Sequence, residues 1–280
     1  MNIDQLKAKY IPKIIGGGLN TIGLIAPQKA VSIALNIFRT PRKGRVESYQ
    51  KKFLKKFDSV ELSYDNMPVA TYDNGKSGRK ILLCHGWESN SYRWRKLYRV
   101  LSKSDHNVIL IDAPAHGGSG SDKFDGKIYA GFISAALDHY KPEVIIGHSV
   151  GAYSAIFAMS EYQPSSVQKV VILASADKFT DISERYFNMI GLSARLREKY
   201  FKNVESIFGF PAQYYNAADF AKNIEVEGII IHDREDTVNL FYEAEAIHSS
   251  WPSSKLISTS GFGHSLQDES VYKLVMDYVS

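Results

Sequence analysis

The sequence predicts an α/β fold with a mostly parallel central sheet flanked by helices and a helical cap inserted between two late strands. Three observations support this prediction. Short β-rich runs alternate with helical patterns from about residue 60 onward. One strand–helix junction carries the pattern G-x-S-x-G, and a long stretch before the last two strands contains helical patterns only. Because strand–helix alternation builds βαβ units, the strands are expected to run parallel and to bind ligands at their carboxyl ends.

The composition is that of a globular protein. The chain has 280 residues, of which 44% are hydrophobic and 23% are charged, so it is long enough to bury a sizeable core. The formal net charge of +4 is too small to indicate nucleic-acid binding without a recognisable motif, and we expect no nucleic-acid partner. Cys84 is the single cysteine, so no disulfide can form within the chain, which favours a cytoplasmic location.

Residues 1–58 are predicted as a helical leader. Apolar residues recur at helical spacing up to Thr40-Pro41, where the pattern stops. The fairly apolar stretch 19–38 is interrupted by Pro27 and Lys29. We therefore expect neither a membrane-spanning helix nor a signal peptide here.

A run of basic residues closes this leader. Between Arg39 and Lys56, Glu47 is the only acidic residue among many Lys and Arg residues. Such a run suits a surface that meets anionic lipid, although a solvated helix face is the simpler interpretation. A weak membrane-surface contact therefore stays open, and the sequence does not indicate the oligomeric state.

The core is predicted to cover 59–175 and 223–280. It opens with a hairpin, 60–64 and 68–72, whose turn is Asp65-Asn66. Further strands are expected at 80–84, 108–111, 144–146, 170–173, 228–231 and 255–258. Helices are expected at 92–101, 128–139, 151–161, 240–249 and 267–279. Strand and helix thus alternate through the core.

The segment 176–222 is predicted to form the helical cap over the strand ends. It contains helical patterns rich in large apolar side chains. These side chains either line a substrate pocket or bury one face of each helix against the core. The candidate pocket residues are Phe179, Tyr186, Phe187, Phe208 and Tyr214.

The segment 144–151 carries the strongest chemical signal. A buried strand leads into Gly147-His148-Ser149-Val150-Gly151, and a good helix follows. This is the context of a nucleophile elbow, a turn so tight that glycines must flank the serine. The turn would place the Ser149 hydroxyl above the sheet at the positive end of a helix. His148 is counted with the pocket residues, although its ring is expected to point into the structure.

A serine hydroxyl needs an adjacent base that an acid orients. His264 follows the strand 255–258 and is preceded by two glycines at 261 and 263, which allow a loop that turns the imidazole towards the serine, so it is the expected base. The acidic candidates are Asp233, Glu235 and Asp236 after the preceding strand, with Asp177 one strand earlier. No histidine pair has metal-ligand spacing with a supporting carboxylate, so we expect neither a metal nor another cofactor.

From about residue 60 to the end, the chain resembles the α/β-hydrolase superfamily, and in particular its serine esterases and lipases. His85-Gly86-Trp87 matches the H-G-aromatic motif after the third strand. The loop 112–119 matches a D-x-P-G-H-G-x-S-like motif, with Ala115 in place of the usual glycine. The resemblance implies the α/β-hydrolase fold. Its D-x-x-D-x-x-V pattern places the acid on Asp236, because Asp233 and Val238 flank this residue at nearly the expected distances. It also implies an oxyanion hole formed by the backbone N–H groups of Trp87 and Val150.

The resemblance implies a serine hydrolase that cleaves a carboxylic ester or thioester of a small acyl substrate through an acyl-enzyme on Ser149. A serine nucleophile argues against dehalogenase or epoxide-hydrolase chemistry, and the single Gly86 disfavours the subgroup with an H-G-G-G hole. Hydrolysis of an amide, peptide or carbon–carbon bond by the same triad stays open, because the fold does not fix the substrate. A non-catalytic, hydrolase-like binding protein is the alternative of another class.

Overall fold

A computed structural model describes residues 3–280, apart from the side chains of residues 3–5 and 7–9. The first two residues of the predicted leader therefore lie outside the described part. The chain divides into two compact units. Residues up to 40 together with 178–216 form one, called the helical unit below, and residues 41–177 with 217–280 form the other, called the core unit.

The core unit contains an eight-stranded sheet in the order β1-β2-β4-β3-β5-β6-β7-β8. Its strands are β1 (Asp58–Tyr64), β2 (Met67–Asp73), β3 (Lys80–Cys84), β4 (Asn107–Ile111), β5 (Val144–His148), β6 (Lys169–Leu173), β7 (Glu227–Asp233) and β8 (Ser254–Thr259). Strand β2 pairs antiparallel with β1 and β4, whereas the pairs from β4 to β8 are parallel. The predicted mostly parallel sheet is confirmed.

Eleven α-helices lie in the described residues 3–280. They are α1 (Ile3–Ile25), α2 (Pro27–Arg39), α3 (Ser48–Leu54), α4 (Arg95–Leu101), α5 (Gly126–Tyr140), α6 (Val150–Tyr162), α7 (Phe179–Ile190), α8 (Ala194–Phe208), α9 (Ala217–Ala221), α10 (Phe241–Ser250) and α11 (Glu269–Val279). A 3₁₀ helix over Ser91–Trp94 leads directly into α4.

The sheet elements follow from the local sequence. Asp65 and Asn66 adopt positive φ angles of 49° and 59°, which is the backbone that a two-residue hairpin turn needs. All five residues of β4 and of β5 are buried. Continuous burial is typical of parallel strands covered on both faces, and it explains their unbroken runs of aliphatic residues.

The structure divides the predicted leader and cap differently from the expected boundaries. Residues 41–58 belong to the core unit, where α3 packs Phe53 and Leu54 into the same apolar cluster as Trp94 and Leu97. At the other end of the predicted cap, α9 also belongs to the core unit. Its Phe220 stacks on Phe157 of α6 with ring centroids 4.5 Å apart.

The helical unit combines the first two helices with α7 and α8. Helices α2, α7 and α8 are amphipathic and must bury their apolar stripes, and together with α1 they form one apolar cluster. Its buried members include Leu19, Ala30, Val31, Ala34, Leu35, Tyr186, Phe187, Ile190, Leu196, Tyr200 and Val204. A buried hydrogen bond of 3.1 Å from the Tyr186 hydroxyl to the Ala34 carbonyl joins α7 to α2.

Within residues 3–280, no helix combines the length and the apolar character needed to span a membrane.

Candidate active site

Ser149 stands between the end of β5 and the start of α6. Its φ and ψ angles are 55° and −125°, a backbone conformation that costs a non-glycine residue on the order of 1–3 kcal/mol. The two flanking glycines make this turn sterically feasible. A Cβ on Gly147 would lie 2.5 Å from the Ala152 Cα, and a Cβ on Gly151 would lie 2.4 Å from the Cys84 carbonyl oxygen.

The structure brings Ser149, His264 and Asp236 together at the carboxyl ends of three parallel strands. His264 Nε2 lies 3.1 Å from Ser149 Oγ, and His264 Nδ1 lies 2.8 Å from Asp236 Oδ2. Both distances are in hydrogen-bonding range. Because an ionised carboxylate only accepts, Nδ1 donates to Asp236, which leaves Nε2 free to accept the proton of the serine hydroxyl.

The Asp236 carboxylate is held in its charged form. Its Oδ1 accepts hydrogen bonds from the backbone N–H groups of Val238 and Asn239, at 2.8 and 3.0 Å. Burial alone would raise the pKa of Asp236, but hydrogen bonds from His232 and His264 outweigh burial and hold this pKa well below its usual value. No local sequence pattern indicated that His232 would lie beside this acid.

The other acidic candidates are occupied elsewhere. Asp233 accepts from the Glu235 N–H, from Thr259 Oγ1 and from the Phe262 N–H, so it ties the loop after β7 to the loop after β8. Glu235 is exposed. Asp177 accepts from the Ala218 N–H at 2.8 Å in the core unit. Of the acids in the loop after β7, Asp236 is thus the one that contacts the imidazole.

Two further side chains hold the loop that carries His264. His148 Nε2 donates to the His264 carbonyl at 2.8 Å, and Arg93 Nη2 donates to the Ser265 carbonyl at 2.6 Å. Burial, together with the positive charge of Arg93, lowers the pKa of His148 well below its usual value, so this ring is neutral at pH 7. His148 was predicted as a pocket residue. Its ring instead donates a hydrogen bond to the loop that carries His264. Arg93 was not predicted, because no local pattern links it to a loop 172 residues away.

The two predicted oxyanion donors reach the serine by different routes, since Val150 follows Ser149 in the chain and Trp87 follows a glycine whose backbone approaches Ser149 in space. Val150 is the first residue of α6, so its N–H has no acceptor within the helix. Trp87 follows Gly86, where a Cβ would lie 3.0 Å from the Ser149 Cβ. The Trp87 ring packs edge-on against His116 and Phe124, with centroids 5.3 and 5.4 Å away. That both N–H groups bind an oxyanion stays a prediction.

A buried polar network supports this side of the site. The Asp112 carboxylate accepts from the N–H and hydroxyl of Ser91, from the Gly118 N–H and from the Tyr72 hydroxyl, all within 3.0 Å. His85 Nε2 accepts from the Ala113 N–H at 2.9 Å. Asp112 and His85 thereby fix the ends of β4 and β3, on which the loops next to the serine are built.

The five aromatic residues predicted for a pocket lie in the helical unit. Tyr186 and Phe187 are buried in its apolar cluster, and Phe179 and Phe208 pack against that cluster. Tyr214 stacks on Phe210 with centroids 4.2 Å apart. Packing within the helical unit accounts for the burial of Tyr186 and Phe187 without a ligand, and their contact with a substrate stays a prediction.

The comparisons with known proteins agree with this fold. A family model described as the alpha/beta hydrolase fold matches residues 80–204. A solved esterase structure from Pyrococcus furiosus superposes with a TM-score of 0.65, covering 86% of this chain and 98% of that one at 22% identity. The chain has the α/β-hydrolase fold.

Two curated relatives match the chain over a limited stretch. Norfluorocurarine synthase 1 from a Strychnos species is 31% identical over 108 residues, which are 36% of this chain and 40% of that protein. A serine hydrolase-like protein from Danio rerio is 34% identical over 121 residues, 40% of this chain and 36% of its own length. The matched part is thus well under half of each relative.

We expect the stability of the protein to fall as the pH drops from about 6.5 towards 4, because its buried histidines resist protonation. Burial lowers the pKa of His85 to about 4, whereas the unfolded chain takes up this proton near pH 6.5. The unfolded state then binds more protons, so the free energy of unfolding should fall by about 1.4 kcal/mol per pH unit for each such histidine.

Urea unfolding at pH 7, 6 and 5, followed by tryptophan fluorescence, measures this slope. His85→Gln and His148→Gln should each reduce the slope of the unfolding free energy against pH by about 1.4 kcal/mol per pH unit, which is the contribution of one proton. His139→Gln, at an exposed position of α5, is the matched control and should keep the wild-type slope. An unchanged slope in both buried variants would contradict the assignment.

Proposed function

We propose that this chain is a serine hydrolase that cleaves a carboxylic ester or thioester through an acyl-enzyme on Ser149. The observation that carries the proposal is that one imidazole, that of His264, contacts both Ser149 and Asp236. His264 Nε2 lies 3.1 Å from Ser149 Oγ, and His264 Nδ1 lies 2.8 Å from Asp236 Oδ2. A nucleophile, a base and an acid in this order are what activates a serine hydroxyl at neutral pH.

In the first half-reaction, Ser149 Oγ attacks the carbonyl carbon while His264 Nε2 takes the hydroxyl proton. The imidazolium that forms is stabilised by the Asp236 carboxylate, which keeps its own negative charge. The N–H groups of Trp87 and Val150 are assigned to the oxyanion of the tetrahedral intermediate. As the intermediate collapses, the bond to the leaving oxygen or sulfur breaks and His264 gives its proton to that atom.

In the second half-reaction, a water molecule replaces the leaving group. His264 Nε2 takes one proton from this water as its oxygen attacks the acyl carbon. Collapse of the second tetrahedral intermediate breaks the bond to Ser149 Oγ, and His264 returns the proton to the serine. The products are an alcohol or thiol and a carboxylic acid, and the enzyme is regenerated.

Several features favour an ester or thioester. The nucleophile is a hydroxyl and not a carboxylate. The esterase from Pyrococcus furiosus shares the fold, and the relative from Danio rerio bears the name serine hydrolase-like protein. Alcohols and thiols also leave more readily than amines, so the triad needs no extra group for leaving-group protonation beyond His264.

Fluorophosphonate labelling followed by intact-mass measurement tests the proposal. We expect a single adduct on the wild type and none on Ser149→Ala, because only an activated serine attacks the phosphorus. Ser154→Ala, which changes another buried serine of the core unit, is the matched control and should keep the adduct.

p-Nitrophenyl esters of increasing chain length, with matched thioesters and anilides, then report the substrate class. Turnover of esters or thioesters above anilides is expected. Preferential anilide turnover would move the assignment to an amide hydrolase. Absence of both adduct and turnover would contradict the proposal and favour a hydrolase-like binding protein.

A further inference from the structure

One face of helix α1 packs against the rest of the helical unit. A Cβ on Gly16 would overlap the Ile190 carbonyl, and a Cβ on Gly23 would lie 2.8 Å from the Leu196 side chain. Leu19, between them, is buried in the apolar cluster. Asn20 donates to the Gly191 carbonyl and accepts from the Ser193 N–H, both at 2.9 Å. These contacts fix which side of α1 faces inward.

The opposite face of α1 is apolar and exposed. Ile14, Leu24 and Ile25 are 72%, 74% and 91% exposed. At ~100° per residue, Tyr10, Ile14 and Ile25 fall within an arc of ~60° that is centred opposite the arc of Gly16, Leu19 and Gly23. Leu6 and Ile11, also exposed, flank this arc. Aliphatic side chains so exposed along one helix face mark an interaction surface.

The charged residues of α1 and α2 are mostly basic. Asp4 is acidic, and the others are Lys7, Lys9, Lys13, Lys29 and Arg39. Lys13 and Lys29 are exposed. An exposed apolar helix face in a segment with this excess of basic residues is the composition of a helix that lies in the headgroup region of an anionic bilayer.

A second copy of this chain fits the face less well than lipid does. Pairing two such faces would bring the basic residues of the two copies together, and Asp4 is the single acidic residue in the sequences of α1 and α2 that could offset the repulsion. An anionic lipid surface instead offers both an apolar layer for the aliphatic side chains and negative headgroups for the lysines.

We propose that α1 binds the surface of an anionic lipid bilayer through the face formed by Leu6, Tyr10, Ile11, Ile14, Leu24 and Ile25. The helix lies along the bilayer plane, with its aliphatic side chains among the acyl chains and its basic residues at the headgroups. This inference does not depend on the proposed hydrolase activity, because the surface and the triad lie in different units of the chain.

Vesicle co-sedimentation of the full chain tests this inference. Vesicles of phosphatidylcholine with about 30% phosphatidylglycerol are expected to bind the wild type. The double variant Ile14→Ser/Ile25→Ser should weaken the apparent affinity at least about tenfold, because both side chains would otherwise enter the apolar layer. Pure phosphatidylcholine vesicles, or the anionic vesicles in about 0.5 M NaCl, should show a comparable loss.

Ile207→Ser is the matched control. It makes the same chemical change at a position of α8 that is 49% exposed, and it should bind like the wild type. Thermal unfolding of each variant verifies that the fold is intact. We expect it to be intact because Ile14 and Ile25 lie on the exposed face.

Three results would overturn the inference. The first is a wild type that does not bind anionic vesicles. The second is an equal loss of binding in Ile207→Ser. The third is a wild-type dimer in solution that Ile14→Ser/Ile25→Ser converts to a monomer, because the face would then be covered by a second copy of the chain.

Discussion

Asp236→Asn is expected to lower kcat by about 10⁴-fold while the protein stays folded. The side-chain oxygen of Asn can still accept the N–H groups of Val238 and Asn239, which now bind Oδ1 at 2.8 and 3.0 Å. The amide nitrogen then faces His264 Nδ1 and donates to it. This reverses the direction of the hydrogen bond, so the imidazole proton moves to Nε2, which can no longer take the proton of Ser149.

Asp233→Asn is the matched control for this change. Asp233 accepts from Thr259 Oγ1 and the Phe262 N–H, so its replacement should act on the stability of the loops more than on kcat. We expect a loss in kcat of about tenfold or less, accompanied by a lower thermal unfolding midpoint. Steady-state hydrolysis of a p-nitrophenyl ester, with circular dichroism on each variant, separates the two effects. A larger loss of kcat in Asp233→Asn than in Asp236→Asn would make Asp233 the acid.

The meeting of Ser149, Asp236 and His264 could be predicted because each follows a different strand of one parallel sheet. The carboxyl ends of β5, β7 and β8 share an edge, so residues far apart in sequence arrive at one place. The elbow was predictable for a local reason. A tight strand–helix turn needs small residues near the serine, and the two glycines of G-x-S-x-G are those residues. The hairpin turn at Asp65-Asn66 was predictable on the same kind of local grounds.

The grouping of the first helices with α7 and α8 could not be predicted. An apolar stripe on a helix, such as that of Ala30, Ala34 and their neighbours, indicates that one face is buried. It does not indicate which other helix packs against that face. The contact between Ala34 and Tyr186 joins positions 152 residues apart. The sequence shows no shared pattern at the two places, so leader and cap were predicted as separate segments although they share one apolar cluster.

The loop that carries His264 was predicted to be flexible enough to turn its imidazole, but the side chains that fix it were not predicted. Glycines at 261 and 263 adopt positive φ angles of 87° and 55°, so the backbone itself does not hold one conformation strongly. His148 and Arg93 supply the constraint from outside, through the carbonyls of His264 and Ser265. Burial lowers the pKa of Arg93 to about 10, so its guanidinium is still charged at pH 7 and donates a strong hydrogen bond.

His148→Ala is therefore expected to lower kcat by about 10²-fold with a smaller change in KM, because a base displaced by about 1 Å loses the geometry needed for proton transfer. His148 acts here as a positioning residue, since its contact is with the His264 carbonyl and not with the reacting atoms. Arg93→Met should produce a loss of the same kind through the Ser265 carbonyl. Progress curves on a p-nitrophenyl ester give kcat and KM, and labelling by a fluorophosphonate gives the reactivity of Ser149 directly.

A conservative replacement separates positioning from simple stability. His148→Gln keeps an N–H donor of similar reach, so it should recover much of the kcat that His148→Ala loses, and Arg93→Lys should do the same relative to Arg93→Met. A merely structural role predicts another pattern, in which kcat per folded molecule stays at the wild-type value and only the unfolding midpoint falls.

Because the two carbonyls belong to consecutive residues, we also expect the double variant His148→Ala/Arg93→Met to lose less kcat than the product of the two single losses. Full additivity would mean that the two side chains act on different parts of the site.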